Sequence, residues 1–348
     1  MKAAYLTGIR KMEVREAPMP QLTGAQDVLL RVDTVGICGS DIHYYRQPEV
    51  GSAVVRYPHI TGHELAATVL EVGAEVKCLR PGQRTAVDPL IPCGECDQCL
   101  AGRKHTCRRQ RFLGYPGQLP GALVEYLVMP AACCSPVPDS LSDDQTAVVE
   151  PLSIGLYAAR LAQLTSGARV GIVGSGPIGL CTLLAIRAET PGAIAYVTDL
   201  VDKRLTVART CGAAWTGNPQ REDVVASIRH LEPLGLDVVF ECAGEQDALD
   251  QSVQLQKPGG ELLVIGIPEA ERISFNASLL RRNELRILNV RRQNECVEPA
   301  IELIRSGRVD VGPLVTHHFP LEQVADAFEM VSTRNDGVVK ALIRVAAG

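Results

Sequence analysis

From Val28 to Val35 the chain alternates, with Val28, Leu30 and Val32 on one face and Leu29, Arg31 and Asp33 on the other. This is the two-residue period of a strand. Glu64 to Val72 and Gly121 to Met129 fit further strands, with turn material at Arg80-Pro81-Gly82-Gln83 and Leu119-Pro120-Gly121. Short strands at this spacing predict a β-rich, barrel-like or sandwich domain over the first ~150 residues. After Pro151 the period changes, and Ile154, Tyr157, Ala158, Leu161 and Leu164 recur at helical spacing. Apolar runs then alternate with helix-length segments: Val170 to Val173, Ile194 to Val197, Val238 to Phe240 and Leu262 to Ile267. Such βαβ repetition predicts a parallel sheet covered by helices. Beyond about Val290 the alternation stops, and Val339, Ala341, Ile343 and Val345 line one face of a terminal strand. This tail either returns to the first domain or forms a third of ~60 residues, which would be marginal alone.

A chain of 348 residues favours two cores, and 46% hydrophobic with 22% charged residues is an ordinary globular balance. The formal net charge is −5 and no long basic run occurs, which argues against a nucleic-acid partner. Met1 to Arg10 is too short in apolar length for a signal segment and reads as an opening strand. No stretch approaches the roughly 20 apolar residues that span a bilayer. No membrane partner is expected, and a cytoplasmic location follows. Twelve cysteines would suggest disulfides in a small secreted protein, but four of them crowd one short window, so metal is the better explanation there.

That window holds Cys93, Cys96, Cys99 and Cys107. Two-residue gaps let thiolates curl around one tetrahedral ion, and the longer gap brings the fourth back to close it. A closed four-thiolate zinc site is structural. A nucleic-acid-reading zinc finger lacks its basic neighbourhood and recognition helix, whereas an iron–sulfur cluster uses related spacings and stays open on the residues alone.

A second constellation combines Cys38, in Gly36-Ile37-Cys38-Gly39-Ser40-Asp41-Ile42-His43, with His63 and Glu64 after Gly62. Cys, His and carboxylate are the ligand types of an open catalytic zinc site. Adjacent residues of a regular strand point to opposite faces, so His63 and Glu64 can share an ion only where the backbone is irregular. Otherwise Glu150, just before Pro151, is the replacement ligand. Asp41 can accept from the second imidazole nitrogen of His63.

Val170-Gly171-Ile172-Val173 leads into Gly174-Ser175-Gly176-Pro177-Ile178-Gly179 and an apolar helix to Ala188. Strand, glycine turn and helix in this order are the setting in which a helix N-terminus receives a pyrophosphate. Asp199, about 20 residues on, is placed to bind ribose hydroxyls and repel a 2′-phosphate, favouring NAD over NADP. Arg204 nearby is placed to serve a phosphate instead.

Cys38-Gly39-Ser40-Asp41, Gly62-His63-Glu64, the cysteine lobe, Glu150-Pro151 and the glycine loop occur in the order seen in zinc-containing medium-chain alcohol dehydrogenases. The resemblance spans nearly the whole chain. Ser40-Asp41-Ile42-His43-Tyr44, Glu150-Pro151-Leu152-Ser153 and Leu314-Val315-Thr316-His317 look most like the sorbitol (L-iditol) and polyol dehydrogenases. It implies a GroES-like β-rich catalytic domain from residues 1–151 and 290–348, with a zinc lobe at about 88–112, and a doubly wound Rossmann NAD domain at 152–289. Two zinc ions are implied: a catalytic one at Cys38, His63 and Glu64, with Glu150 touching its water or exchanging as ligand, and a structural one in the cysteine lobe. Tyr44, Glu150 and Arg291 would line the substrate pocket. Gly174, Gly176, Pro177, Ile178, Gly179, Asp199, Arg204, Ile265, Gly266, Ile267, Val290 and Arg291 would contact NAD. Ser40 and His43 are expected to relay the proton. A homodimer or homotetramer using an edge within Leu262 to Val290 also follows from the resemblance.

Two residues depart from the polyol pattern. Arg292 stands where an aromatic is expected, and Tyr45 replaces a tryptophan. A guanidinium beside Arg291 suits a carboxylate or phosphate on the sugar, or is a solvated surface pair. The expected reaction is oxidation of a secondary alcohol of a polyol or sugar-derived substrate to a ketone. The rivals are L-threonine dehydrogenase, a simple alcohol dehydrogenase, a sugar-acid dehydrogenase, and a non-catalytic dinucleotide-binding protein with one zinc.

Overall fold

The computed structural model describes residues 1–50 and 53–346. Two compact units are present: Met1–Glu150 with Val297–Gly307 and Val315–Gly348, and Pro151–Cys296 with Arg308–Leu314.

The first unit is built on a seven-stranded sheet. Its path runs Cys134–Pro136, Arg84–Val87, Glu64–Val72, Asp27–Gly36, Lys340–Arg344 and Val315–Pro320, with Tyr126–Pro130 also pairing Asp27–Gly36. The central Asp27–Gly36 strand buries both faces. Val28, Leu30, Val32 and Val35 are fully covered, and so nearly are Leu29 and Asp33. Asp33 tolerates burial because it accepts from Arg31 Nε at 2.7 Å and Thr68 Oγ1 at 2.6 Å. The tail question is answered by register: Leu342 faces Gly36 and Ile343 faces Val35 in an antiparallel pair, so the last strand closes the first unit's sheet. The strand expected from Gly121 begins only at Tyr126. Ahead of it the backbone divides its bonds between two segments, Ala122 N donating to Gly62 O at 2.8 Å while Leu123 O accepts from Ala4 N at 2.8 Å.

In the second unit six strands pair in parallel, in the order Trp215–Gly217, Ile194–Thr198, Arg169–Val173, Leu236–Glu241, Gln256–Val264, Arg286–Asn289. Val170, Ile172, Val239 and Phe240 are fully buried, as continuous apolar strands covered on both faces should be. The chain winds outward from Arg169–Val173 in one direction, then restarts beside it at Leu236–Glu241 and winds the other way. That reversal is the switch point at which doubly wound sheets open a crevice. No helix among the described residues is long and apolar enough to cross a membrane.

Candidate metal and cofactor sites

Cys38 caps the start of the helix Gly39–Arg46, its backbone N–H donating to Asp41 Oδ2 at 3.0 Å. Across the sheet, Gly62 takes φ +95°, where a Cβ would press on Leu123 and Val35 at 3.1 Å. That turn ends at His63, and regular strand starts only with Glu64. The irregular backbone required for these neighbours to share a target is therefore present. Cys38, His63 and Glu64 offer donor atoms that all lie within 4.8 Å of one another.

Each donor is oriented by a buried partner. Asp41, fully enclosed, accepts from Thr61 Oγ1 and from Gly62 N at 3.1 Å, and lies 3.5 Å from His63 Nδ1. Burial alone would raise its carboxyl, but the His63 charge and the surrounding donors hold it below the usual range. With Nδ1 turned to Asp41, the Nε2 side of the ring is left for a metal. Glu64 Oε2 meets Lys340 Nζ at 2.5 Å, with both side chains at most 2% exposed, and Lys340 also donates to Ile37 O at 3.0 Å. Glu150 stands outside the 4.8 Å group but feels it: burial pushes its carboxyl up to about 7, with His63 opposing and Glu64 and Asp88 reinforcing the rise.

Ser40 and His43 share the Gly39–Arg46 helix, each partly exposed. Tyr44 on the same helix is buried, edge-on to His59 and Tyr115 at 6.3 Å between ring centres. Tyr45 is a core residue: its ring packs on Phe328 at 5.4 Å and its hydroxyl donates to Glu329 Oε2 at 3.0 Å. Sequence reasoning had not singled out Lys340, Asp88, His59 or Tyr115. Only Lys340 carries a signal, as a cation directly before the apolar run Ala341 to Ile343 of the terminal strand.

The cysteine lobe is a second donor set. Sγ separations are 3.6 Å for Cys96–Cys99, 3.9 Å for Cys96–Cys107 and 4.0 Å for Cys93–Cys99. A tetrahedron with metal–sulfur bonds of ~2.3 Å has edges of roughly 3.8 Å, whereas a disulfide requires about 2.05 Å. The donor set therefore fits an ion held by four thiolates. Two of the lobe's basic residues are committed to acids, Arg108 to Asp97 and Arg109 to Glu95, and its helix, Asp97–Leu100, is too short to read a groove.

In the second unit the helix Pro177–Glu189 starts directly after Gly176. A Cβ on Gly179 would lie 1.9 Å from Gly174 O, which is why the turn closes only on glycine. Asp199 ties the rim together, accepting from Ser175 N at 2.6 Å and Val201 N at 2.8 Å. Arg204 Nη1 lies 3.6 Å from where a Gly176 Cβ would be. Ile265, Gly266 and Ile267 follow the Gln256–Val264 strand, Ile267 being 55% exposed. Val290, exposed Arg291 and Arg292 follow the edge strand Arg286–Asn289, with Arg292 in the left-handed region at φ 54°. All these residues lie just past the carboxyl ends of parallel strands, where such sheets bind ligands.

Residues 24–139 match the family model for the alcohol dehydrogenase GroES-like domain, and residues 177–306 that for zinc-binding dehydrogenases. Sorbitol dehydrogenase of Bacillus subtilis (strain 168) is 36% identical over 344 residues, covering 99% of this chain and 97% of that one. L-idonate 5-dehydrogenase of Vitis vinifera is 35% identical over 350 residues, covering 99% and 94%. A solved zinc-binding dehydrogenase from Sinorhizobium meliloti 1021, bound to NADP, superposes with a TM-score of 0.90 at 30% identity, covering 99% of both chains. By its two family domains and its full-length relatives, the chain belongs to the zinc-containing medium-chain alcohol dehydrogenases, on the branch that holds the sorbitol dehydrogenases.

Proposed function

We propose that this protein oxidises a secondary alcohol of a polyol or sugar-derived substrate to a ketone, passing the hydride to NAD. The observation that carries this reading is the sulfur, nitrogen and oxygen donor set of half-buried Cys38 and buried His63 and Glu64 within 4.8 Å. Three protein donors and a vacant place are what a catalytic rather than a structural zinc site requires. Zinc held there would supply a Lewis acid that lowers the pKa of the substrate hydroxyl.

The chain's own groups do the rest. Asp41 fixes the His63 ring, and Lys340 holds the Glu64 carboxylate beside it. Glu150, buried beside these donors, is placed to take up a proton there, burial raising its carboxyl and a bound cation lowering it. Ser40 and His43 carry the proton toward solvent, and Tyr44 contributes an apolar wall for the substrate. The four lobe cysteines hold a second, structural zinc. In the second unit, the Gly174–Gly179 turn receives the pyrophosphate, Ile265 to Ile267 and Val290 border the nicotinamide half, and Asp199 engages the ribose, which favours NAD. The neighbouring Arg204 and an NADP-bound relative make NADP the cofactor to compare. Assembly as a homodimer or homotetramer is part of the reading, and light scattering at one chain's mass would remove that part.

A sugar acid is the second reading. Arg291 and Arg292 are adjacent guanidinium groups at a strand's carboxyl end, where they can meet a carboxylate, and a relative at 35% identity acts on L-idonate.

Metal analysis with a substrate panel tests both. Two zincs per chain are expected, one after His63→Ala, with turnover lost and NADH binding kept. Polyols, aldonates, L-threonine and simple alcohols are then compared by NADH absorbance. Full activity in the His63 variant removes the ligand assignment, and a preference for L-threonine or ethanol removes the substrate class.

A further inference from the structure

The second unit buries one carboxylate that the chemistry above does not use. Glu241 ends the Leu236–Glu241 strand, on the restart side of the switch point, and none of it is exposed. Its Oε1 accepts from Ala243 N and Gly244 N, each at 2.7 Å. Its main-chain carbonyl accepts from Ile265 N at 2.8 Å and Gly266 N at 3.0 Å. One residue thus engages two loops, 242–244 and 265–267, that follow neighbouring strands.

The loops touch backbone to backbone. A Cβ on Gly266 would lie 2.3 Å from Gly244 N and 2.6 Å from Glu241 Oε2, and one on Gly244 would lie 2.6 Å from Ile267 O. A Cβ on Gly174, in the phosphate turn, would reach Ala243 N at 3.0 Å. Main chain, the small Ala243 side chain and the Glu241 carboxylate fill the space between the three loops, so their spacing depends on these few groups. Burial raises the Glu241 carboxyl, and the N–H groups of Gly244 and Ala243 oppose the rise.

We infer that Glu241 is a positioning residue: its carboxylate pins the 242–244 loop, its main-chain carbonyl holds the 265–267 loop packed against it, and together the two loops form the floor that receives the nicotinamide half of the cofactor. Asp199 and the phosphate turn lie on the other side of the switch point and serve the adenosine half. Loss of the carboxylate should therefore separate the two halves energetically. The inference rests on the proposed dinucleotide function.

The test compares NADH with ADP-ribose, which lacks nicotinamide, by titration against the zinc-loaded protein. For Glu241→Ala, NADH should bind on the order of 10- to 100-fold more weakly while ADP-ribose stays within about 2-fold, the scale on which a displaced positioning group acts. Glu241→Gln keeps an acceptor toward both N–H groups and should stay within about 5-fold of wild type for NADH. Glu241→Asp is one methylene short and should behave like Ala. Unchanged NADH binding in the Ala or Asp variant overturns the inference, as does an equal loss for ADP-ribose. Should Glu241→Ala fail to fold, Glu241→Asp gives the same two readings. If wild type binds neither ligand, the cofactor reading itself fails, and with it the premise.

Discussion

Lys340 and Glu64 form an ion pair in which each side chain is almost wholly enclosed. Removing one partner of such a pair leaves an uncompensated buried charge, which costs about 3–5 kcal/mol. Lys340→Met should destabilise the chelator-treated protein by that amount and the zinc-loaded protein by less, since a metal offsets the Glu64 charge. Denaturant titration of both forms checks this, with Glu64→Gln added to Lys340→Met recovering part of the loss. Glu150 gives a pH effect of definite sign. Its folded carboxyl sits at about 7 against 4.5 ordinarily, so the unfolded chain releases this proton at lower pH than the folded one does. Stability of the metal-free protein should therefore fall as pH rises from about 4.5 to about 7, by roughly 3 kcal/mol for this group. Glu150→Gln should flatten that part of the profile, and an unaltered profile would remove the assignment.

At the scale of elements, the sulfur lobe is held by donors rather than by an apolar core. Of its four thiols only Cys99 and Cys107 are buried. Cys96→Ser should release one zinc per chain and open the segment around 93–107 to protease while NADH still binds, as metal analysis and limited proteolysis would read. The lobe was legible because spacing alone dictates a four-donor shell. The strands at Glu64–Val72 and Arg169–Val173 were legible because periodicity follows burial. The segment before Tyr126 was not, because its main chain bonds alternately to two partners and never completes a regular ladder. Tyr45 shows the same limit at a side chain: its place beside Phe328 depends on a helix nearly 300 positions away, which local pattern cannot reveal. Lys340 was visible only as an oddity, since its partner Glu64 lies equally far off along the chain.

For the whole molecule, two compact units with separate ligand chemistry should respond separately. NADH at 100 times its dissociation constant stabilises whatever binds it by about 2.7 kcal/mol. Amide hydrogen exchange should show that protection over the parallel strands from Arg169 to Asn289, while zinc chelation should loosen Asp27–Gly36 and Glu64–Val72 instead. Uniform protection by both ligands would show that the two units open as one. The resemblance had already implied a first unit made from both chain ends. Composition and period left that open, because a terminal strand reads the same wherever it docks.

The docking of Lys340–Arg344 beside Asp27–Gly36 has a consequence for biosynthesis. A ribosome delivers the amino-terminal strands first, yet the neighbour of Asp27–Gly36 and the cation for Glu64 emerge only after some 300 further codons have been read. Until then the nascent sheet exposes a raw flank and an unneutralised acid. Productive maturation must therefore wait for the carboxyl-terminal end, and in the interval the young chain is a natural client for chaperones.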